Sequence, residues 1–197
     1  MIELLGKSLE ELQSIFKTHN IQKFRAKQLI DYIYHRYIFD FEDMTQFPKD
    51  LRQWLGDNCV ISLPTLITES IAPDGKTRKI LVEMSDQSRV EAVLMEQHYG
   101  YSVCVSSQVG CAMGCVFCAS TQGGLYRDLT VAEIIGQVVI FGALTKEEIH
   151  SVVVMGAGEP LQNYDNVLQA LQLLHDPMIC NISYRKMTIS TCGWVDR

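Results

Sequence analysis

Three thiols in one short stretch are the most chemically specific feature of the sequence. Cys111, Cys115 and Cys118 stand at spacing C-x3-C-x2-C in Cys111-Ala112-Met113-Gly114-Cys115-Val116-Phe117-Cys118, directly after a run, Tyr101 to Val109, that reads as a strand. Three neighbouring cysteines cannot all pair with one another as disulfides, and a structural zinc wants a fourth ligand nearby. An iron–sulfur cluster held by three thiolates instead leaves one iron open. Taken alone, the stretch suggests a cube-type cluster whose free iron chelates a small cofactor, as an open position in a catalytic metal site holds water or substrate.

A second group lies one βα unit further on. Gly156-Ala157-Gly158-Glu159-Pro160 follows the apolar run Ile149 to Met155. Two glycines let backbone approach a ligand closely, and a carboxylate at a strand's carboxyl end accepts hydrogen bonds from an ammonium group. An isolated G-x-G-E-P is more often a plain turn. Its distance from the cysteines, however, allows both to end at one rim of one sheet. Ser190-Thr191 at the end of the next strand falls on the same rim, where a polar pair alone is more often a simple strand terminus.

The elements that must position these residues are readable from periodicity. Ser8-Leu9-Glu10-Glu11 has capping-box form, with Leu9, Leu12, Ile15 and Phe16 following at helical spacing. A second helix is expected from Lys23 to about Tyr37, with Phe24, Leu29, Ile30, Ile33 and Tyr34 inward and Arg25, Lys27 and Arg36 outward. Pro48 sits where a third can start, with Leu51, Trp54 and Leu55 as its stripe. The basic and aromatic residues of this module suit an RNA backbone, but acidic residues are as frequent, so a solvated helical face is an equal reading. Turns at Pro64, Pro73-Asp74-Gly75 and Ser85 to Ser88 then separate β-rich runs at 66–71, 78–84, 90–95 and 101–106, which predict an antiparallel meander with a hairpin at Pro73-Asp74-Gly75. Beyond the cysteines, a second capping box, Thr130 to Glu133, opens a helix to about Leu144. The strand 149–155, a helix from Asn163 to about His175 with Val167, Leu168, Leu171 and Leu174 on one face, and a strand from Lys186 to Thr191 complete a βαβαβ order. Such a unit binds ligands at the carboxyl ends of its strands.

Composition bounds the function classes. The 197-residue chain, 47% hydrophobic and 20% charged, has the profile of an ordinary globular protein. No apolar run approaches the roughly 20 residues that span a bilayer, and the first residues lack a basic, apolar signal sequence, so no membrane association and a cytoplasmic location are expected. The seven cysteines read in a reducing compartment as ligands or reactive thiols, with Cys59 and Cys180 as plain buried residues. A net charge of −6 argues against gripping nucleic acid by bulk electrostatics, though it permits a local basic face.

These residues together resemble the RlmN/Cfr family of radical S-adenosylmethionine RNA methyltransferases. The resemblance is carried by Cys104-Val105-Ser106-Ser107-Gln108-Val109-Gly110-Cys111 with Cys115 and Cys118, by Ala119-Ser120-Thr121, Gly123-Gly124, Arg127, Leu129-Thr130 and Glu133-Ile134, and by Gly158-Glu159-Pro160, Asn163 and Ser190-Thr191. Phe24-Arg25-Ala26-Lys27-Gln28 and Met44-Thr45 with Pro48 to Arg52 look like that family's accessory domain. Cys118 to Gly124 is more similar to RlmN than to Cfr. The resemblance implies an α/β fold: a helical RNA-contacting domain (1–60), a short antiparallel β segment (61–100) and the first half of a radical S-adenosylmethionine βα barrel (101–197), incomplete at its C-terminal end. It implies a 4Fe–4S cluster on Cys111, Cys115 and Cys118, and S-adenosylmethionine contacted by Gly158, Glu159 and Ser190. It also gives Cys104 the place of a resolving cysteine that forms a disulfide, and Glu91 that of an acid/base carboxylate. On pattern alone, Cys104 reads as a buried hydrophobe and Glu91 as a solvent-facing charge.

The activity so implied is methylation of adenine C2 in large-subunit ribosomal RNA, with tRNA as a further substrate, by a monomer served by an electron donor such as a flavodoxin. The alternatives are a Cfr-type C8 methyltransferase and a non-catalytic iron–sulfur or zinc RNA-binding remnant. Ala157 stands where the family usually has Met, and Cys192 where it usually has Ser. Neither Cys180 nor Cys192 matches the family's methyl-carrying cysteine, so the chain reads as a truncated product whose activity alone is in question.

Overall fold

Residues 1–194 are described in the computed structural model; Val195 to Arg197, the last residues of the expected barrel segment, lie outside them. The helical stripe behind Ser8 forms α1 (Leu9–Thr18), closed by a reciprocal capping box: Glu11 N–H donates to Ser8 Oγ at 3.2 Å and Ser8 N–H to Glu11 Oε2 at 2.7 Å. The second predicted helix is α2 (Phe24–Ile30) running into a π-helical turn, Asp31–His35. That extra residue in the turn lets Ile30, Tyr32, Ile33 and Tyr34 all enter the core. Phe24, expected inward, is instead 50% exposed: it heads the helix ahead of the packed stripe, and its ring is covered by the Arg25 guanidinium at 4.7 Å. Helix α3 (Lys49–Asn58) starts after Pro48 and buries Leu51 and Leu55. Two short parallel strands, β1 (Ile2–Glu3) and β2 (Cys59–Val60), tie the ends of this module together.

The remaining chain builds one six-stranded sheet in the order β10-β9-β6-β5-β4-β3. Strands β3 (Thr65–Ile71), β4 (Thr77–Glu83), β5 (Arg89–Gln97) and β6 (Gly100–Val105) form the predicted antiparallel meander. Its first turn is closed by Gly75 N–H to Ala72 O at 2.8 Å, with Gly75 at φ +72°. Strand β6 also pairs in parallel with β9 (Ile149–Val154), which pairs in parallel with β10 (Met187–Ile189). The meander and the βαβαβ unit therefore share a sheet, joined at β6.

The run expected as one strand from Tyr101 to Val109 breaks at Ser106. There the Gln137 side chain replaces a neighbouring strand, accepting from Ser106 N–H at 2.8 Å and donating to Ser106 O at 3.1 Å. The chain then turns into β7 (Gln108–Gly110), which pairs with β8 (Leu125–Asp128) as a separate hairpin. Helix α4 (Val131–Thr145), with a second reciprocal capping box at Thr130 and Glu133, is buried nearly all round. It lies between the sheet and the helical module, with Gly136 against Pro64 and Gly142 against Tyr37. Helix α5 (Tyr164–His175) buries Val167, Leu171 and Leu174 as predicted, whereas Leu168 is 38% exposed. Leu168 sits one position off the stripe, at an angle that carries it to solvent.

Alternation along the strands divides the sheet into two unlike faces. Ile80, Val82, Val90, Ala92, Leu94, Val103, Val105, Val152 and Val154 are buried on one, which packs on α4 where β6 and β9 run. The other carries Glu91, exposed, and Cys104, half-buried, with Ser102 and Ser151 buried further along it.

Candidate functional site

The carboxyl ends of β6, β9 and β10 meet at one rim, and the Gly156 to Glu159 loop is fastened there. Gly156 N–H donates to Val105 O at 3.0 Å, and Ala157 O accepts from Ser107 N–H at 2.9 Å and Gln108 N–H at 3.1 Å. Glu159 is 3% exposed. Its N–H donates to Gln108 Oε1 at 2.8 Å, while its carboxylate accepts from Thr191 Oγ1 at 2.6 Å, Cys192 N–H at 2.8 Å and Leu161 N–H at 2.9 Å. Burial alone raises the Glu159 carboxyl, but these donors outweigh it and hold the group below the usual carboxylate range. Gly158 has φ +109°, and a Cβ there would lie 2.6 Å from Gln108 Cβ and 2.7 Å from Ser107 Oγ. No other residue type fits this position. Ser190 follows β10, exposed, with its N–H on Val154 O at 3.3 Å.

The cysteine loop is carried on the same rim by the β7–β8 hairpin. Cys111 N–H donates to Gly124 O at 3.0 Å across its base, and Cys118 N–H to Cys115 O at 3.0 Å within it. Cys111 is buried, Cys115 and Cys118 are half-buried, and Val116 and Phe117 between them project into solvent. All seven cysteines are free thiols. Among the described residues no three Cys, His, Asp or Glu side chains converge in a metal-holding group, so the three thiols share a loop without meeting at one point. As a donor set they fit an iron–sulfur cluster: soft thiolates alone, on a glycine-containing loop, with neither His nor carboxylate between them.

Glu91 and Cys104 fall on the open face of the sheet. Cys104 is directly opposite Val93 of β5 and Val153 of β9; Glu91, two residues from Val93, projects on that same side. Its carboxylate is solvent-facing and pairs with Lys79 Nζ at 2.9 Å. Cys104 is half-buried rather than fully so. Burial pushes its thiol up, and the Met155 backbone N–H partly offsets this. Cys180 lies elsewhere, half-buried on the wall of a cavity of about 530 Å³ with Tyr37, Lys146 and His150, at the amino end of β9. Its burial pushes that thiol up to about 12.

Of the residues that hold the rim together, Arg127, Glu133 and Asn163 fall within the family resemblance, and Gln137 falls outside it. Gln137, fully buried in α4, was invisible as a polar residue in an apolar helix. Asn163 at the head of α5 donates to both Ser107 O and Leu129 O at 2.7 Å. Arg127 clamps Glu133 through two bonds of 2.7 and 2.8 Å and reaches Asp86 at 2.7 Å. The bond to Arg127 holds the Asp86 carboxyl well below the usual range. The Thr130 to Glu133 capping box is a local signal for part of this network, because its carboxylate is the one that Arg127 grips.

Two family models match the chain, one at each end. Residues 2–61 match the ribosomal RNA large subunit methyltransferase N-terminal domain, and residues 105–197 match the radical SAM superfamily. A relative from Symbiobacterium thermophilum named "Probable dual-specificity RNA methyltransferase RlmN" is 48% identical over 98% of this chain and 52% of its own length. One of the same name from Clostridium perfringens strain 13 is 44% identical over 100% of this chain and 57% of its own. The crystal structure of a radical SAM methyltransferase from Sphaerobacter thermophilus superposes with a TM-score of 0.91 at 34% identity, covering 97% of this chain and 57% of that one. The chain thus spans little more than half the length of the curated relatives it matches. Its α/β sheet is that of a radical SAM methyltransferase in part, and over nearly its whole length the chain is similar to proteins named RlmN.

Proposed function

We propose that this chain carries the cofactor-binding half of a radical S-adenosylmethionine methyltransferase that modifies C2 of an adenine in large-subunit ribosomal RNA, with tRNA as a further substrate. The observation that carries the reading is the gathering of the three-thiol loop and the Gly156 to Glu159 loop on one rim, beside the open sheet face that holds Cys104 and Glu91.

Cys111, Cys115 and Cys118 would hold a 4Fe–4S cluster, and Gly158, Glu159 and Ser190 would hold S-adenosylmethionine. Together these groups supply reductive cleavage of a sulfonium to a carbon radical. The protein's own residues do the rest. Gly158 lets backbone come close to the cofactor, and the buried Glu159 carboxylate, kept ionised by its N–H donors, accepts from an amino group. Glu91 reaches outward from the open face, its carboxylate held by Lys79, and would take a proton from an adenine carbon placed above it. Cys104, one strand away, would act as the resolving thiol: its thiolate would attack the sulfur of a methyl-carrying cysteine that neither Cys180 nor Cys192 represents, the S–S bond forming as that sulfur's bond to the adenine-borne carbon breaks and the carbon leaves with the electron pair to take up a proton. The helical residues 1–60 would contact the RNA, the β residues 61–100 would present Glu91, and 101–197 would house the cofactors. A cytoplasmic monomer reduced by a flavodoxin-type donor completes the reading.

Anaerobic reconstitution with iron and sulfide tests it. The expected result is a brown protein that, with a reductant, converts S-adenosylmethionine to methionine and 5′-deoxyadenosine. A colourless zinc-loaded protein, or a cluster without cleavage, would favour a non-catalytic RNA-binding remnant. Mass spectrometry of the modified adenine separates C2 from C8 methylation.

A further inference from the structure

One hydroxyl ties the strand that presents Glu91 to the loop that presents Glu159. Ser106, fully buried at the break between β6 and β7, donates from Oγ to the Glu91 carbonyl at 2.8 Å and accepts at Oγ from Ala157 N–H at 2.9 Å. Its backbone is held on both sides by the fully buried Gln137 amide, whose Nε2 also donates to Glu133 O at 3.2 Å. Every donor and acceptor in this chain of bonds is satisfied, so the hydroxyl has one orientation.

The opposing backbone leaves no slack. A Cβ at Gly156 would stand 2.6 Å from Ser106 Oγ and 2.8 Å from both Ser106 N and Val105 O. Only glycine lets the loop settle on the serine, and only a short hydroxyl-bearing side chain reaches both Ala157 and Glu91 from that place. Alanine at 106 would leave the Ala157 N–H and the Glu91 carbonyl each without this partner. From these contacts we infer that Ser106, oriented by Gln137, is a positioning residue that registers the Gly156–Glu159 loop against the β5 strand bearing Glu91. Fully buried, it would touch neither cofactor nor substrate; it sets the spacing between the residues proposed to do so. The assignment of those two elements to cofactor and base rests on the proposed function, but the mechanical tie does not.

Amide hydrogen exchange on the chain alone tests the tie without any cofactor. In the unaltered protein the Ala157 amide is expected to be protected to the degree of the β6 and β9 amides; exchange there at the rate of an exposed loop would overturn the inference, whatever the variants do. In Ser106→Ala, exchange at Ala157 and Glu159 should speed at least tenfold, while Ile80 and Ala92 in β4 and β5 keep their rates. A loss spread evenly over the sheet, or none at Ala157, would mean that the serine is ordinary packing. Gln137→Met should loosen the same amides to a lesser extent, and an unchanged Ala157 there would remove Gln137 from the role. Titration of S-adenosylmethionine into the reconstituted chain supplies the functional arm. Ser106→Ala should weaken binding about tenfold and the core control Ile80→Val should not, whereas equal weakening in both would overturn positioning in favour of general destabilisation.

Discussion

The two faces of the sheet are built from the same strands and obey opposite rules. On one, Val103, Val105, Val152 and Val154 stack against α4 and are essentially inaccessible. On the other, a row of directly paired residues runs Lys79, Val93, Cys104, Val153, Thr188 across five strands, with Glu91 beside it. Neighbouring residues in one strand therefore differ in surroundings: Val105 is sealed in the core, and Cys104 is only half-buried on the opposite face. The pleat alone makes the distinction, since successive side chains point to opposite faces and adjacent strands are ~4.8 Å apart. A rigid packed layer beneath a less buried row of mixed character is what fixed positioning of a reactive group requires.

The largest expected effect breaks this comparison at those two neighbours. Val105→Asp would place a carboxylate on the packed face with no cation to meet it, at a cost of several kcal/mol, on the order of 3–5, against a typical domain stability of ~5–15. Urea unfolding should show a chain that is largely unfolded or retained only as a collapsed species. Cys104→Ser, on the open face, should shift the unfolding midpoint only slightly, in keeping with a half-buried site. If the two substitutions destabilise equally, the faces are not functionally distinct.

An intermediate effect is expected at the rim, where burial and charge act together. The donors around Glu159 hold its folded carboxyl below the ordinary value, so the unfolded chain binds protons more readily than the folded one. Its stabilising contribution is then complete above the unfolded value of ~4.3 and is lost as pH falls through the folded value. Glu159→Gln removes an acceptor from donors that include Cys192 N–H and Leu161 N–H, and should cost about 1–3 kcal/mol at neutral pH. It should also flatten the fall in stability between pH 5 and 3, by roughly this group's share. A variant whose pH profile runs parallel to the unaltered protein would show that the carboxylate is not ionised by its surroundings.

How far these features could be read from the sequence follows from whether their signal is local. Both capping boxes, the stripe of α1 and the Pro73-Asp74-Gly75 hairpin depend on residues a few positions apart, and each formed as expected. The shared rim of the cysteines and Glu159 was legible because βαβ order alone puts successive strand ends together. The break at Ser106 was not, because its cause is Gln137, thirty-one positions away. The exposure of Phe24 depended on where α2 starts to pack, and the extra residue of the π-helical turn shifted the phase after it. The β7 and β8 strands, at three and four residues, are too short for an alternating pattern to register. Glu91 read as a solvent-facing charge, which it is; that it shares a face with Cys104 depends on strand register, which no local pattern encodes.

The smallest effect sharpens the comparison from the open side. Lys79 Nζ and Glu91 Oε1 are 2.9 Å apart with both side chains about half exposed, so water screens the pair and its removal should cost only about 0.2–1 kcal/mol. Lys79→Met should accordingly leave the unfolding midpoint almost unchanged and abolish what little salt dependence the pair confers. The same substitution frees the Glu91 carboxylate to sample other rotamers over the row that contains Cys104, because the ammonium is the only partner that the described contacts give its side chain. Under the proposed function, in which Glu91 is the acid/base carboxylate, that loss of aim should lower adenine methylation by several-fold with S-adenosylmethionine cleavage intact. Lys79→Arg, which keeps the cation, should restore it. A large drop in stability would mean that the open face carries folding load after all, and the contrast between the faces would fail from this side.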